Sequence, residues 1–186
     1  NLNFSDCYQI TDQAVNSLSC EGLKYLNQLT SLNFNFSGCR QISDQRVSLL
    51  CADGLKHLSK LTSLNLDFSS CKLITDEAVN SLCLNGLKHF SQLTSLNLNF
   101  SRCKQITDEA VISLSCEGLK YLSKLTSLNL DFSWCEQITN EGVNSLCSEG
   151  LKYLNQLTSL NLDFSWCYQI TNEGVNSLCS EGLKYL

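Results

Sequence analysis

The sequence predicts an α/β solenoid: six stacked strand–turn–helix units, curved, with a parallel sheet on the concave face and helices on the convex face. The first observation is a period. Leu-Thr-Ser-Leu-Asn begins at Leu29, Leu61, Leu93, Leu125 and Leu157, so the unit is 32 residues long, without insertion or deletion. The second is alternation. Leu64, Leu66 and Phe68 interleave with Ser63, Asn65, Asp67 and Ser69, the period-two pattern of a strand with one buried face. The third is the helical spacing of Val79, Leu82, Gly86, Leu87 and Phe90.

The units run 1–28 (partial), 29–60, 61–92, 93–124, 125–156 and 157–186. In each, a turn follows the strand, then a threonine or serine such as Thr75 stands as N-cap. The acids behind it, Asp76 and Glu77, fall where the helix dipole favours negative charge. A glycine recurs inside every helix: Gly22, Gly54, Gly86, Gly118, Gly150 and Gly182. Mid-helix glycine costs about 1 kcal/mol relative to alanine, so its recurrence needs a cause. Either the helix approaches its neighbour closely, or it breaks there. Parallel strands stack at ~4.8 Å while packed helices need ~8–10 Å, and that mismatch is the origin of the curvature. No unit buries its own apolar face, so stability has to come from neighbours. Asn1 and Leu186 both cut the unit, no methionine is present and neither end diverges into a polar cap, which is expected of an excerpt from a longer array.

Leu64-x-Leu66 followed by Cys71 and Ile74-Thr75-Asp76-Glu77 resembles the cysteine-containing leucine-rich repeats, whose units carry a C-x-x-I-T-D pattern. The helix with Asn140-Glu141-Gly142 is similar to the ribonuclease-inhibitor-like class. The resemblance covers the whole chain and implies a leucine-rich-repeat solenoid. The unit departs from it in being longer than the usual ~20–29 residues, and in that it resembles protist arrays.

The 12 cysteines divide by phase. Cys7, Cys39, Cys71, Cys103, Cys135 and Cys167 follow the strand, and the resemblance implies a thiol ladder there. A second set, Cys51, Cys83, Cys147 and Cys179, shares a helical phase from which Cys20 and Cys116 are displaced by one residue. Such a displacement turns a side chain by roughly 100°, which a repeated bridge or metal site would not tolerate. Stacked identical side chains pointing the same way suit buried thiols better than disulfides. Free thiols would fit the cytoplasm, and a disulfide framework the extracellular space. His57 and His89 replace tyrosines and read as surface residues, with no Cys-x-x-Cys spacing to suggest zinc.

Net charge is −5 with acids and bases interspersed, which disfavours nucleic-acid binding. No apolar run is long enough to insert in a membrane. Serines and acids recur at structural phases, with no unique constellation breaking the repeat, so no catalytic activity and no cofactor are expected. The expected function is a structural or protein-interaction scaffold, possible as a longer array or filament. The alternative is a recognition module, a receptor-like extracellular domain or a secreted effector, that binds a protein. Departures such as Leu73, Leu84 and Ile112 weigh against a uniform designed array.

Candidate contact residues sit where copies differ. The phase before the ladder cysteine reads Asp6, Gly38, Ser70, Arg102, Trp134, Trp166, and the phase after it Tyr8, Arg40, Lys72, Lys104, Glu136, Tyr168. Trp134, Trp166 and Tyr168 are typical interface anchors, with Tyr8, Arg40 and Arg102 as further candidates. Drift on a solvated rim, or shelter for the core edge, is the plainer reading. On the polar strand face, Asn33, Asn65, Asn97, Asn129 and Asn161 are expected to form a mainly structural amide ladder. Asn3, Asn35 and Asn99 match the N-glycosylation acceptor pattern, which recurs because the strand recurs.

Overall fold

A computed structural model describes residues 1–185; Leu186, the last residue of the sixth unit, lies outside the described residues. The strands are β1 (Leu2–Asn3), β2 (Ser31–Asn35), β3 (Ser63–Asp67), β4 (Ser95–Asn99), β5 (Ser127–Asp131) and β6 (Ser159–Asp163). They form one parallel sheet in sequence order, an open α/β solenoid. Register follows the period, with Leu64 beside Leu96 and Leu96 beside Leu128. The helices are α1 (Asp12–Ser17), α2 (Asp44–Leu49), α3 (Asp76–Asn85), α4 (Asp108–Ser113), α5 (Asn140–Ser145) and α6 (Asn172–Ser177).

Between sheet and helices lies one continuous core. Its spine is a file of phenylalanines, Phe4, Phe36, Phe68, Phe100, Phe132 and Phe164, whose rings stack at 5.6–6.0 Å and within 16° of parallel. Offset ring pairs of this kind contribute roughly 0.5–1.5 kcal/mol beyond area burial.

Polar ladders fix one unit against the next. The Thr62 hydroxyl and amide both donate to the Thr30 carbonyl (3.0 and 2.8 Å), and Thr94, Thr126 and Thr158 repeat this. At the helix start, Asp44 accepts from both the amide and the hydroxyl of Thr75, each at 2.8 Å. Asp12, Asp76 and Asp108 grip Ser43, Thr107 and Thr139 in the same way. The first-turn acid is thus an inter-unit clamp, and the threonine it grips caps its own helix through Oγ1, as Thr75 accepts from Glu77.

The helix is composite. After the six α-helical residues of α1, α2, α4, α5 and α6, the chain widens to a π-helical turn (Leu114–Gly118 in the fourth unit), then tightens to a 3-10 turn (Leu119–Tyr121). α3 instead remains α-helical to Asn85. Both explanations of the recurrent glycine hold, because the helix changes pitch at the residue that also meets its neighbour. Gly118 has φ −101°, a value open to any residue, so space is what demands glycine. A Cβ there would stand 3.0 Å from Cys83 Sγ and 3.1 Å from Leu87 Cδ1. At Gly22, in the first unit described, a Cβ would meet nothing closer than 4.0 Å.

These two sites give an internal comparison. Gly118→Val should lower stability by about 1–3 kcal/mol through overpacking, whereas Gly22→Val should leave it unchanged or raise it slightly. Urea unfolding of both variants checks this; equal losses would mean the glycine answers to backbone shape alone.

Candidate functional site: the turn rim

Each strand ends in a four-residue turn, Phe-Ser-X-Cys. The cysteine amide donates to the phenylalanine carbonyl, as from Cys103 to Phe100 at 3.0 Å. The Asn or Asp before the phenylalanine adds an Asx bond, with Oδ1 accepting from the serine amide at 2.8–2.9 Å in all six units. Asn3, Asn35 and Asn99 hold this position, and Asp67, Asp131 and Asp163 do the same work. The acceptor-like triplet therefore follows from the turn.

Residue X, the phase that varies most, has positive φ throughout: Asp6 57°, Gly38 72°, Ser70 60°, Arg102 61°, Trp134 64° and Trp166 66°. This is the third position of a type II turn, which favours glycine. Only Gly38 complies; a Cβ there would lie 2.5 Å from Asp6 Oδ1, the mobile end of an exposed side chain. The other five are held in the left-handed region at roughly 1–2 kcal/mol each. Across the rim the backbone still pairs, with Trp134 N–H donating to the Ser165 carbonyl at 2.8 Å. Two residues beyond the cysteine, glutamine amides clip the preceding unit: Gln105 donates to Lys72 O and Gln137 to Lys104 O, both at 2.6 Å. Leu73 replaces this glutamine in the third unit, so the Arg40 carbonyl receives no such bond.

The strained positions carry a connected file of side chains. The indoles of Trp134 and Trp166 stack at 4.3 Å and 14°, and Tyr168 meets Trp166 edge-on at 6.0 Å. Arg102 lies over Trp134 at 5.6 Å, and at the opposite end Arg40 lies over Tyr8 at 5.1 Å. Trp166 is 52% exposed and Tyr168 66%, while Trp134 is half-buried. A shallow groove of about 470 Å³ runs along the rim between Arg40, Ser70, Lys72, Arg102 and Lys104. A second, of about 280 Å³, shares Arg102 and Lys104 and ends against Trp134. Among the candidates, Arg102, Trp134, Trp166 and Tyr168 form one file of ring contacts, Tyr8 and Arg40 pair at the far end, and the groove joins Arg40 to Arg102. Aromatic size marks one end of this surface in the sequence; Lys72 and Lys104 carry no comparable mark, because only stacking brings them into the groove with Arg40.

On the concave face, Asn161 donates to Asn129 and Asn129 to Asn97, each at 2.6 Å. Asn33 and Asn65 make no such bond, and Asn65 Oδ1 is buried without a partner.

The cysteines are all free thiols. Each ladder thiol from Cys39 onward donates to a phenylalanine carbonyl of the preceding unit, as Cys71 does to Phe36 at 3.1 Å. The displaced pair is explained by exchange. Ser19 and Ser115 take the buried position of Cys51 and Cys83, donating to Val15 and Val111 carbonyls, and Cys20 and Cys116 move to half-exposed sites. Burial pushes the Cys51 thiol up to about 12 and that of Cys147 to about 11, with the neighbouring Cys179 adding to the latter. The ladder thiols Cys71 and Cys103 move up for the same reason, which is the opposite of what a nucleophile or metal ligand needs. Among the described residues no group of three His, Cys, Asp or Glu side chains could hold a metal, and no helix is long and apolar enough to cross a membrane.

The strand–turn–helix period defines the fold as a leucine-rich-repeat solenoid. A family model described as Leucine Rich repeat matches residues 92–115 and 121–147. The C-terminal domain of tropomodulin from Caenorhabditis elegans is similar in structure, with 12% identity and a TM-score of 0.57 over 95% of this chain and 93% of that one. A chain of the yeast Rad7 and Elc1 complex aligns with 18% identity and a TM-score of 0.48, over 98% of this chain and 60% of that one. Among curated protein sequences none matches.

Without reductant at neutral pH, an alkylating reagent should modify exposed Cys7 and Cys179 first and half-exposed Cys20 and Cys116 more slowly, leaving the eight buried thiols until unfolding. Because burial raises the folded-state thiol pKa values, the unfolded chain releases those protons first. Stability should accordingly be unaffected by the thiols below about pH 9 and fall between about 9 and 12. Fewer than 12 labels on the unfolded chain would reveal disulfides. On the rim, Ser70→Gly should raise stability by a few tenths to about 1 kcal/mol, the left-handed penalty exceeding the added chain entropy of about 0.5–1 kcal/mol. Trp166→Gly should lower it through loss of both ring contacts, and a gain instead would show that strain outweighs stacking.

Proposed function

We propose that the chain is a protein-recognition scaffold, not an enzyme, and that it engages its partner through the turn rim, with Trp134, Trp166 and Tyr168 as the anchor. The observation that carries this is the placement of two stacked tryptophans where a glycine is favoured. Two left-handed residues cost roughly 2–4 kcal/mol, and their two ring contacts return about 0.5–1.5 kcal/mol each, so the pair as a whole gives the fold no net gain. Stability of the fold is a poor account of such a pair, whereas strained, aromatic turn tips suit a contact surface. Arg102 extends the anchor with a guanidinium preorganised by its ring contact. The match to a Leucine Rich repeat model agrees with this reading in kind.

A second reading, end-on assembly into a longer array or filament, is favoured by the identical register of successive units, in which each presents the same bonding face to the next. Concentration-dependent growth in sedimentation velocity supports it, and a single concentration-independent species rejects it.

Recognition is tested by selecting binders from a displayed random-peptide library on the folded chain. Selected peptides should lose about tenfold or more in affinity against Trp134→Ala/Trp166→Ala, with the fold intact by circular dichroism. Binding that survives the double substitution would move the site elsewhere.

A further inference from the structure

The chain carries 13 Lys and Arg side chains within a net charge of −5. Six are the lysines of the convex face, of which Lys56, Lys120, Lys152 and Lys184 pair with an acid three residues earlier. Arg46 meets Asp12, and Lys60 and Lys124 reach glutamines of the preceding unit. The remaining four, Arg40, Lys72, Arg102 and Lys104, all line the rim groove. Three of them occupy one phase on three consecutive units, so they stand side by side at a spacing of ~4.8 Å. Like charges placed directly opposite one another oppose folding. Only Lys104 has a counter-ion among the described residues, Glu136 of the next unit at 3.0 Å. That carboxylate shows which group suits this row.

We propose that this groove binds an extended acidic segment of a protein partner, with clustered carboxylates or phosphates on Arg40, Lys72, Arg102 and Lys104 and an apolar residue following them onto Trp134 and Trp166. It rests on the recognition reading above and names its partner chemistry. The groove supplies two guanidiniums, each able to grip a carboxylate or phosphate through two parallel bonds, and two ammoniums as point charges. The file from Arg40 to Trp166 crosses four inter-unit steps, roughly 19 Å at the strand spacing. An extended peptide rises about 3.3 Å per residue, so a segment of about six residues spans it, acids toward Arg40 and the apolar end toward Trp166. The two grooves share Arg102 and Lys104, which makes the basic and aromatic parts one continuous surface. Glu136 holds the boundary and competes with the incoming acid for Lys104.

The test uses synthetic peptides and the tryptophan fluorescence of the chain, whose only two tryptophans lie on this rim. Four peptides are compared: an aspartate cluster followed by phenylalanine, its phosphoserine counterpart, a neutral asparagine counterpart, and the aspartate cluster followed by alanine. Either anionic phenylalanine peptide should bind about tenfold or more tighter than the neutral one, weaken as salt rises, and shift the tryptophan emission. The tighter of the two identifies the source of the anion. Reversal of the row, Arg40→Glu/Lys72→Glu/Lys104→Glu, should remove that preference, and Glu136→Gln should strengthen binding by roughly two- to threefold. Should the reversed chain fail to fold, Arg40→Gln/Lys72→Gln/Lys104→Gln replaces it, with the same loss expected. Equal binding of neutral and acidic peptides, indifference to the row, or displacement by an oligonucleotide at equal charge each overturns the acidic-segment proposal. If library-selected peptides still depend on the tryptophans in that case, the recognition reading stands without it.

Discussion

Everything in this solenoid depends on hydrogen bonds that cross from one unit to the next at identical register. Asp44 does not serve its own helix alone; it holds Thr75 of the following unit by amide and hydroxyl together. Thr62 closes on Thr30, Cys71 on the Phe36 carbonyl and Gln105 on the Lys72 carbonyl. Each of these bonds connects a residue to one 31 to 35 positions away. A change in unit length would break all of them together, and that accounts for the strict 32-residue period better than the core does. Leucines tolerate sliding and exchange of volume, whereas a bidentate carboxylate and a ring stack do not.

The same constraint decides which residues are free to vary. Strand alternation commits one face to the core and the other to the amide and hydroxyl ladders. The helix is committed by its clamp at the start and by its glycine at the pitch change. What remains is the turn, where residue X gives its amide to the ladder and leaves its side chain uncommitted. Substitution at X leaves the core and the backbone ladder in place and changes only the side-chain contacts along the rim. The rim is therefore the one place where a uniform array can acquire distinct chemistry unit by unit, which agrees with loops on a rigid frame carrying function.

Much of the fold was legible because period and alternation act directly on burial: Leu64, Leu66, Phe68, Val79, Leu82, Leu87 and Phe90 are all buried. The glycine alternatives could not be separated in sequence, since close approach and helix break leave the same letter. Asp76 read as a dipole acid because its partner, Thr107, lies in another unit and local spacing cannot display it. The serine–cysteine exchange at Ser19 and Cys20 likewise looks irregular in sequence, but burial shows Ser19, Cys51, Cys83, Ser115 and Cys147 filling the same gap in five units. At the site, variability and aromatic size pointed to Trp134, Trp166 and Tyr168. The positive φ beneath them, and the meeting of Lys72 with Arg40 and Lys104 in one groove, are properties of the stacked chain alone.

Charge placement separates the two roles of the molecule. Convex lysines are spaced by helices and mostly answered by acids within the same turn, so they contribute solubility and little stability, as exposed pairs generally do. Rim cations are spaced by strands, about half as far apart, and only Glu136 answers them. An array selected for rigidity alone would favour the opposite arrangement, with pairs where charges crowd. The crowding at Arg40, Lys72, Arg102 and Lys104 is thus the electrostatic counterpart of the backbone strain at Trp134 and Trp166. Both are local costs on one continuous surface, borne by units whose remaining residues are fixed by the ladder.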